Sequence, residues 1–294
     1  MELKRYLKER KELIDRVILD YLPPNPPFGL SLYEAVKYSL AVGGKRLRPI
    51  LCMAGCEITG NDYRLAIPIA VALEMIHTYS LVHDDLPAMD NDEIRRGYPT
   101  TWKRFGEATG VLAGDALLNR AFEVISEWDF DSERKIKVIS EIGKASGMMG
   151  MVLGQQCDME AEDRKDVSLE ELKFIHKYKT GALITASIVS GGIIGGGDAN
   201  TLSVLRRYGE LIGYAFQIID DVLDVIGDEK KLGKKVGSDI ENGKVTFVTF
   251  FGVEGAKDEA KKVINEAKVF LKEFNENKRV PLEYLADFIV NREF

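Results

Sequence analysis

Asp84, Asp85 and Asp90 stand at the end of an apolar run, Ile76-His77-Thr78-Tyr79-Ser80-Leu81-Val82-His83, and Arg95 and Arg96 follow closely. A second group, Asp220, Asp221 and Asp224, closes another apolar run through Leu211, Ile212, Tyr214, Phe216, Ile218 and Ile219. Carboxylates at the mouth of a buried helix must be compensated or stay in water, because an unpaired interior charge is very costly. The two arginines could pair with the first group, or both groups could be solvated helix ends. Alternatively the aspartates hold a divalent cation, and the arginines face the anion that the cation brings. Acidic residues at a helix C-terminus oppose the macrodipole, so solvated ends explain neither group well. Two apolar helices ending alike, with no matching excess of lysine beside them, favour metal binding. Oxygen-only ligands suit Mg²⁺ or a similar hard cation, which keeps few protein ligands and completes its shell with phosphate oxygens.

The spacings differ between the groups. At roughly 100° per residue, Asp220 and Asp224 project from one face of a helix, one turn apart. They repel by about a few tenths of a kcal/mol unless a cation sits between them. Asp84 and Asp90 lie about 240° apart round a regular helix, so they share an ion only where the backbone departs from helix. Pro87 predicts that departure.

These residues sit in a chain of 294 residues, 45% hydrophobic, with a formal net charge of −7. That length suffices for a sizeable core near the upper limit for one domain. With no polybasic tail or basic face, nucleic acid is not an expected partner. No run of about 18 or more uncharged apolar residues is seen, so no membrane span is expected. The N-terminus reads as a charged amphipathic helix without the apolar core of a signal peptide. Cys52, Cys56 and Cys157, an odd set in apolar helical patterns, suit buried thiols in a reducing cytoplasm.

Helical periodicity dominates and alternating strand patterns are nearly absent. A first helix runs from Met1 to Asp20 and stops at Pro23-Pro24-Asn25-Pro26-Pro27. Ser31 is expected to cap a second helix reaching Val42, and a third begins near Pro49 after Gly43-Gly44. A helix from Asp62 or Pro68 to His83 is apolar nearly all round and should be central. Further helices are expected at 107–127, 132–158, 168–191 and 200–226, with weaker ones at 245–251, 256–275 and 281–291. The glycine run Gly191 to Gly197 reads as a helix-to-helix turn. The expected fold is all-α, one domain over 1–294, with roughly ten or more helices around a central apolar cavity.

The chain resembles the trans-prenyl diphosphate synthases, most closely the bacterial farnesyl diphosphate synthase group, along essentially its whole length. Gly43-Gly44-Lys45-Arg46-Leu47-Arg48-Pro49 is similar to that family's isopentenyl-diphosphate element. Asp84-Asp85 to Asp90, followed by Arg95-Arg96-Gly97, resembles its first aspartate-rich motif in the longer spacing. Gly154-Gln155 with Asp158, Lys179-Thr180-Gly181, and Phe216-Gln217 with Asp220-Asp221-Val222-Leu223-Asp224 are similar to its later motifs.

The resemblance implies the isoprenoid synthase fold, a homodimer, and a Mg²⁺-dependent prenyltransferase, with Mn²⁺ as an alternative. Three ions would lie between the aspartate groups, held by Asp84, Asp90 and Asp220, with Asp85, Asp221 and Asp224 ligating or holding waters. Arg95, Lys179, Lys234 and Lys244 would meet the allylic diphosphate. Gly44, Lys45, Arg48, His77 and Arg96 would bind isopentenyl diphosphate. The Lys179 carbonyl, Thr180 and Gln217 would direct dipoles at an allylic carbocation, and the loop Gly227 to Gly243 would close as a lid carrying Lys234. Arg292 would reach the site if the C-terminus closed.

Tyr79 lies roughly 7–8 Å down the helix axis from Asp84. A large ring there would stop a growing chain early, which the resemblance associates with the fifteen-carbon farnesyl diphosphate; Ser80 is small and would not block. Geranylgeranyl diphosphate synthase is the alternative. A non-catalytic homologue should have lost one aspartate group, and a terpene cyclase would not need Lys45, Arg48 and Arg96.

Overall fold

A computed structural model describes residues 3–162, 164–226 and 244–291 of the chain. Among these the regular structure is helical apart from one hairpin, β1 (Ile94–Arg95) antiparallel to β2 (Tyr98–Pro99). The helices are α1 (Leu3–Val17), α2 (Leu30–Ala41), α3 (Leu47–Ile58), α4 (Ile67–Asp84) and α5 (Thr101–Phe105). There follow α6 (Glu107–Glu127), α7 (Ser132–Ser146), α8 (Met151–Ala161) and α9 (Leu169–His176). A π-helical turn, Lys177–Gly181, joins α9 to α10 (Ala182–Ile194). Then come α11 (Ala199–Ile226), α12 (Phe247–Leu271) and α13 (Glu276–Asn291). The expected all-α class is thereby present among the described residues.

As its pattern predicts, α4 is central: Pro68 to Ile76 are all buried, and it packs against α3 and α6. The stretch Tyr63–Asp84 is, against expectation, long and apolar enough to cross a membrane by composition. Here 72% of its window is buried against protein. Each large apolar side chain it buries contributes roughly 1.5–3 kcal/mol to folding, so protein packing accounts for its hydropathy.

Helix α10 is buried from Leu183 to Ile194 and crosses α3 at very close range. Gly191 and Gly192, expected in a turn, belong to this crossing instead: a Cβ on Gly191 would stand 1.9 Å from the Cys52 carbonyl oxygen. Gly55 on α3 is equally tight, its missing Cβ 2.3 Å from the Ile188 carbonyl oxygen. Only Gly195 to Gly197, with Gly196 at φ 78, make the turn that the glycine run predicts.

Other boundaries also move. Ser31 is not the cap of α2; Gly29, at φ 73, occupies that place without a side-chain hydrogen bond. Helix α3 begins two residues before Pro49, whose missing N–H costs nothing in a first turn. The expected helix 132–158 is two helices, because the chain folds tightly at 147–150. A Cβ on Gly150 would lie 2.2 Å from the Ala145 carbonyl oxygen. The segments at 245–251 and 256–275 join as α12, kinked where Gly252 adopts φ 65. Helix α13 starts at Glu276, with Pro281 one turn inside it.

Candidate functional site

Helix α4 ends at Asp84, and the chain then curls back on itself. Asp85 N–H bonds the Leu81 carbonyl at 3.0 Å, and Asp90 N–H returns to the Asp84 carbonyl at 2.8 Å. Pro87 lies inside this reversal, so the departure from helix that brings Asp90 back to Asp84 takes place where the sequence places it. Burial pushes the Asp84 carboxyl up to about 6; Lys179 opposes that shift and Asp90 and Asp85 add to it. Burial likewise raises Asp85 to about 6, although the Arg95 guanidinium donates to it at 2.6 Å. Arg95 also reaches Asp92, so the pairing of arginine with aspartate holds for Asp85.

The second group lies at the end of α11. Asp220 faces a cavity of about 190 Å³ together with Asp158, His176, Lys179, Gln217 and Lys244. Asp221 is buried and accepts from the Phe247 backbone N–H at 2.8 Å and from Gln217 at 3.1 Å. Asp224 is 1% exposed. Helical geometry puts Asp220 and Asp224 on one face, yet the tertiary packing gives Asp220 the cavity and encloses Asp224. Among the described residues no three His, Cys, Asp or Glu side chains stand at metal-holding spacing. The described aspartates therefore do not stand as one preformed cage.

Lys179 links the groups, lining both the Asp220 cavity and a larger one of about 540 Å³ beneath Asp84. It sits on the π-helical turn, with its ammonium 2.6 Å from Asp158. π-Turns inside helices are frequent at functional sites. Two glycines let helices close on this one. A Cβ on Gly154 would strike Lys179 N at 2.0 Å, and one on Gly213 would meet Gly181 Cα at 2.9 Å. Thr180 donates to Gln217 at 3.0 Å, so the two side chains form one polar unit. Burial alone would raise the Asp158 carboxyl, but Lys179 and Lys244 win and hold it below the usual range. In the sequence Asp158 stands in a motif with Gly154 and Gln155, and nothing local to it marks this pairing with two lysines.

The larger cavity is lined by Arg48, His77, Tyr79, Ser80 and His83 on one side. Val111 from α6 and Met151, Val152, Gln155 and Met159 from α8 line the other. No local pattern marks the apolar residues among these, since only the arrangement of α4, α6 and α8 around one cavity makes them a wall. Tyr79 is buried, its ring edge-on to His83 at 5.8 Å, and His83 bonds the Val111 carbonyl at 3.0 Å. His83 and His176 thus have structural contacts, His176 stacking on Phe247.

At the cationic end, burial lowers Arg48 to about 10, so it stays charged at neutral pH. Burial, and then Arg48, Arg96, Arg95 and Arg46, hold His77 well below its usual range and keep it neutral. Arg48 Nε and Gln155 Nε2 are buried donors without a hydrogen-bond partner among the described residues. A buried polar atom left unpaired costs about 1–3 kcal/mol, and a phosphate oxygen would satisfy either. Gly44, at φ 148, packs directly under the Arg96 guanidinium, which donates to the Gly43 carbonyl. Lys45 is exposed on the same loop. Lys234, the loop 227–243 and Arg292 lie outside the described residues.

The oxygen-only donor set fits a hard divalent cation. Asp84 and Asp85 carry carboxyls whose charge the fold disfavours, which a cation would stabilise.

Comparison with known proteins finds relatives of the whole chain. A family model described as Polyprenyl synthetase matches residues 30–285. The chain is 47% identical to a geranylgeranyl diphosphate synthase of Cyanophora paradoxa, over 99% of this chain and 96% of that one. Its structure is similar to a geranylgeranyl pyrophosphate synthetase of Pyrococcus horikoshii, with a TM-score of 0.89 and 38% identity over 99% and 98% of the two chains. An FPP/GFPP synthase of Zymomonas mobilis superposes with a TM-score of 0.87 at 36% identity, covering 98% of each.

Proposed function

The chain belongs to the polyprenyl synthetase family and is a prenyltransferase, and on that premise we propose that it extends allylic diphosphates with isopentenyl diphosphate to the twenty-carbon geranylgeranyl diphosphate. One observation carries the reaction: acidic ends of α4 and α11 are joined through Lys179 over an apolar cavity whose other polar end is cationic. The names of the Cyanophora and Pyrococcus relatives favour twenty carbons over the expected fifteen. The fifteen-carbon reading keeps support from Tyr79, a buried ring in the cavity wall.

In this reading Asp84, Asp85, Asp90 and Asp220 hold divalent cations, with Asp221 and Asp224 supporting them. When bound, such ions stabilise charge on a departing diphosphate. Arg95 and Lys179, with Lys244, face the allylic diphosphate. Arg48, His77, Arg96 and Lys45 face isopentenyl diphosphate, with Gly44 leaving room for Arg96. The Lys179 carbonyl, Thr180 and Gln217 turn oxygen dipoles toward the allylic carbocation. The apolar walls keep water from that cation. One domain, a cytoplasmic setting and a homodimer belong to the same proposal. Leu112, Met148 and Met149 are exposed apolar side chains of the kind that a second copy would cover.

The test is to incubate the protein with isopentenyl diphosphate and five-, ten- or fifteen-carbon starters, then chromatograph the dephosphorylated alcohols. Geranylgeraniol as the dominant product is expected; farnesol alone would return the proposal to fifteen carbons, and no consumption of isopentenyl diphosphate would end it. Tyr79→Ala should open the wall between α4 and α6 and lengthen the dominant product by at least one five-carbon unit. An unchanged distribution removes Tyr79 from chain-length control.

A further inference from the structure

Arg46 lies between Lys45 and Arg48, yet it lines neither cavity and turns inward. It is 2% exposed and adopts a left-handed backbone, φ 52 and ψ 34, as the cap of α3. Its guanidinium reaches three elements: Asp15 of α1 at 2.8 Å, Glu74 of α4 at 2.7 Å, and the Leu40 carbonyl of α2 at 2.6 Å. Its own carbonyl accepts from Ile50 N–H at 3.1 Å, which starts α3. Glu74 is 1% exposed and stands one turn before His77 on the same helix. The field of Glu74 also supports the charge of Arg48 and Arg96.

A rigid three-way fork of this kind fixes the loop Gly43 to Arg48 against α4. We propose that Arg46, held by Glu74 and Asp15, is a positioning residue that sets Lys45 and Arg48 against His77 at the isopentenyl-diphosphate end of the cavity without touching substrate. This rests on the functional reading above, which assigns those three residues to that diphosphate. A lysine carries the charge but cannot donate to three acceptors in fixed directions.

The experiment is steady-state kinetics of Arg46→Lys and Glu74→Gln, with each substrate varied separately. The KM for isopentenyl diphosphate should rise about tenfold, while kcat and the allylic KM stay within about twofold. Arg48→Gln, run alongside, separates the two ways of failing. If it leaves the isopentenyl-diphosphate KM unchanged, the subsite reading is wrong. If it raises that KM while Arg46→Lys and Glu74→Gln do not, only the positioning role is overturned. Loss of melting temperature with both KM values and kcat moving together would mean a merely structural role, and also overturns it. Should Arg46→Lys fail to fold, Asp15→Asn carries the test, since the Asp15 side chain is 31% exposed. A selective but smaller rise in the same KM is expected there, and no rise overturns the proposal.

Discussion

Asp84→Asn is expected to lower kcat by about 10³-fold or more while leaving the melting temperature unchanged or higher. The two effects have opposite signs for one reason. Burial raises the Asp84 carboxyl to about 6, so the fold disfavours its charge, and an amide of the same shape removes that penalty. A group that costs stability and gains rate is serving the reaction and not the fold. The linkage follows from the same shift. A carboxyl raised in the folded state contributes stability that is complete below its unfolded pKa and is lost as pH rises through about 6. Divalent cations should therefore raise the melting temperature of the wild type strongly at pH 8 and little at pH 5. Chelation should abolish turnover and Mg²⁺ restore it. Activity of Asp84→Asn near the wild-type level, or a cation effect independent of pH, would sink the assignment.

Gly191→Ala should be among the most destabilising single methyl additions in the chain. The new Cβ would lie 1.9 Å from the Cys52 carbonyl oxygen and 3.0 Å from Cys56 N, both backbone atoms of a buried helix that cannot swing aside. Separating α3 from α10 costs about 1–3 kcal/mol or somewhat more. At about 2–4 °C per kcal/mol for a chain of this size, the melting temperature should fall by roughly 2–12 °C. Gly143→Ala is the control. It lies inside α7 with nothing within 4 Å of the new methyl, and alanine there should stabilise by roughly 0.4–1 kcal/mol. Paired thermal or urea unfolding measures both. Equal shifts for the two variants would mean that the α3–α10 crossing tolerates what the distances forbid. The crossing also matters to the site, because α3 starts beside Arg48 and α10 continues from the turn that carries Lys179 and Thr180.

Much of this was legible locally. The even apolar coverage of α4 marked it as interior, and Pro87 marked the reversal that returns Asp90 to Asp84. The break at Gly147–Gly150 was not legible, since an apolar helical pattern continues through both methionines there. Nor was the π-turn at Lys177–Gly181, whose extra residue is absorbed by the close approach of Gly154 and Gly213 from helices distant in sequence. Product length rests on more than one residue: Tyr79 does face the cavity, but Val111, Met151, Val152 and Met159 share the wall.

Residue order alone determined the helical class, the two acid-tipped apolar helices and the cationic loop before α3, because periodicity and charge are written within single segments. Tertiary packing decided which aspartate meets the cavity and which is enclosed, why Arg46 turns away from the cavity that Arg48 lines, and where the walls stand. A helix's apolar stripe records how much surface must be buried; the direction of each side chain at the site depends on whichever distant helix covers that stripe.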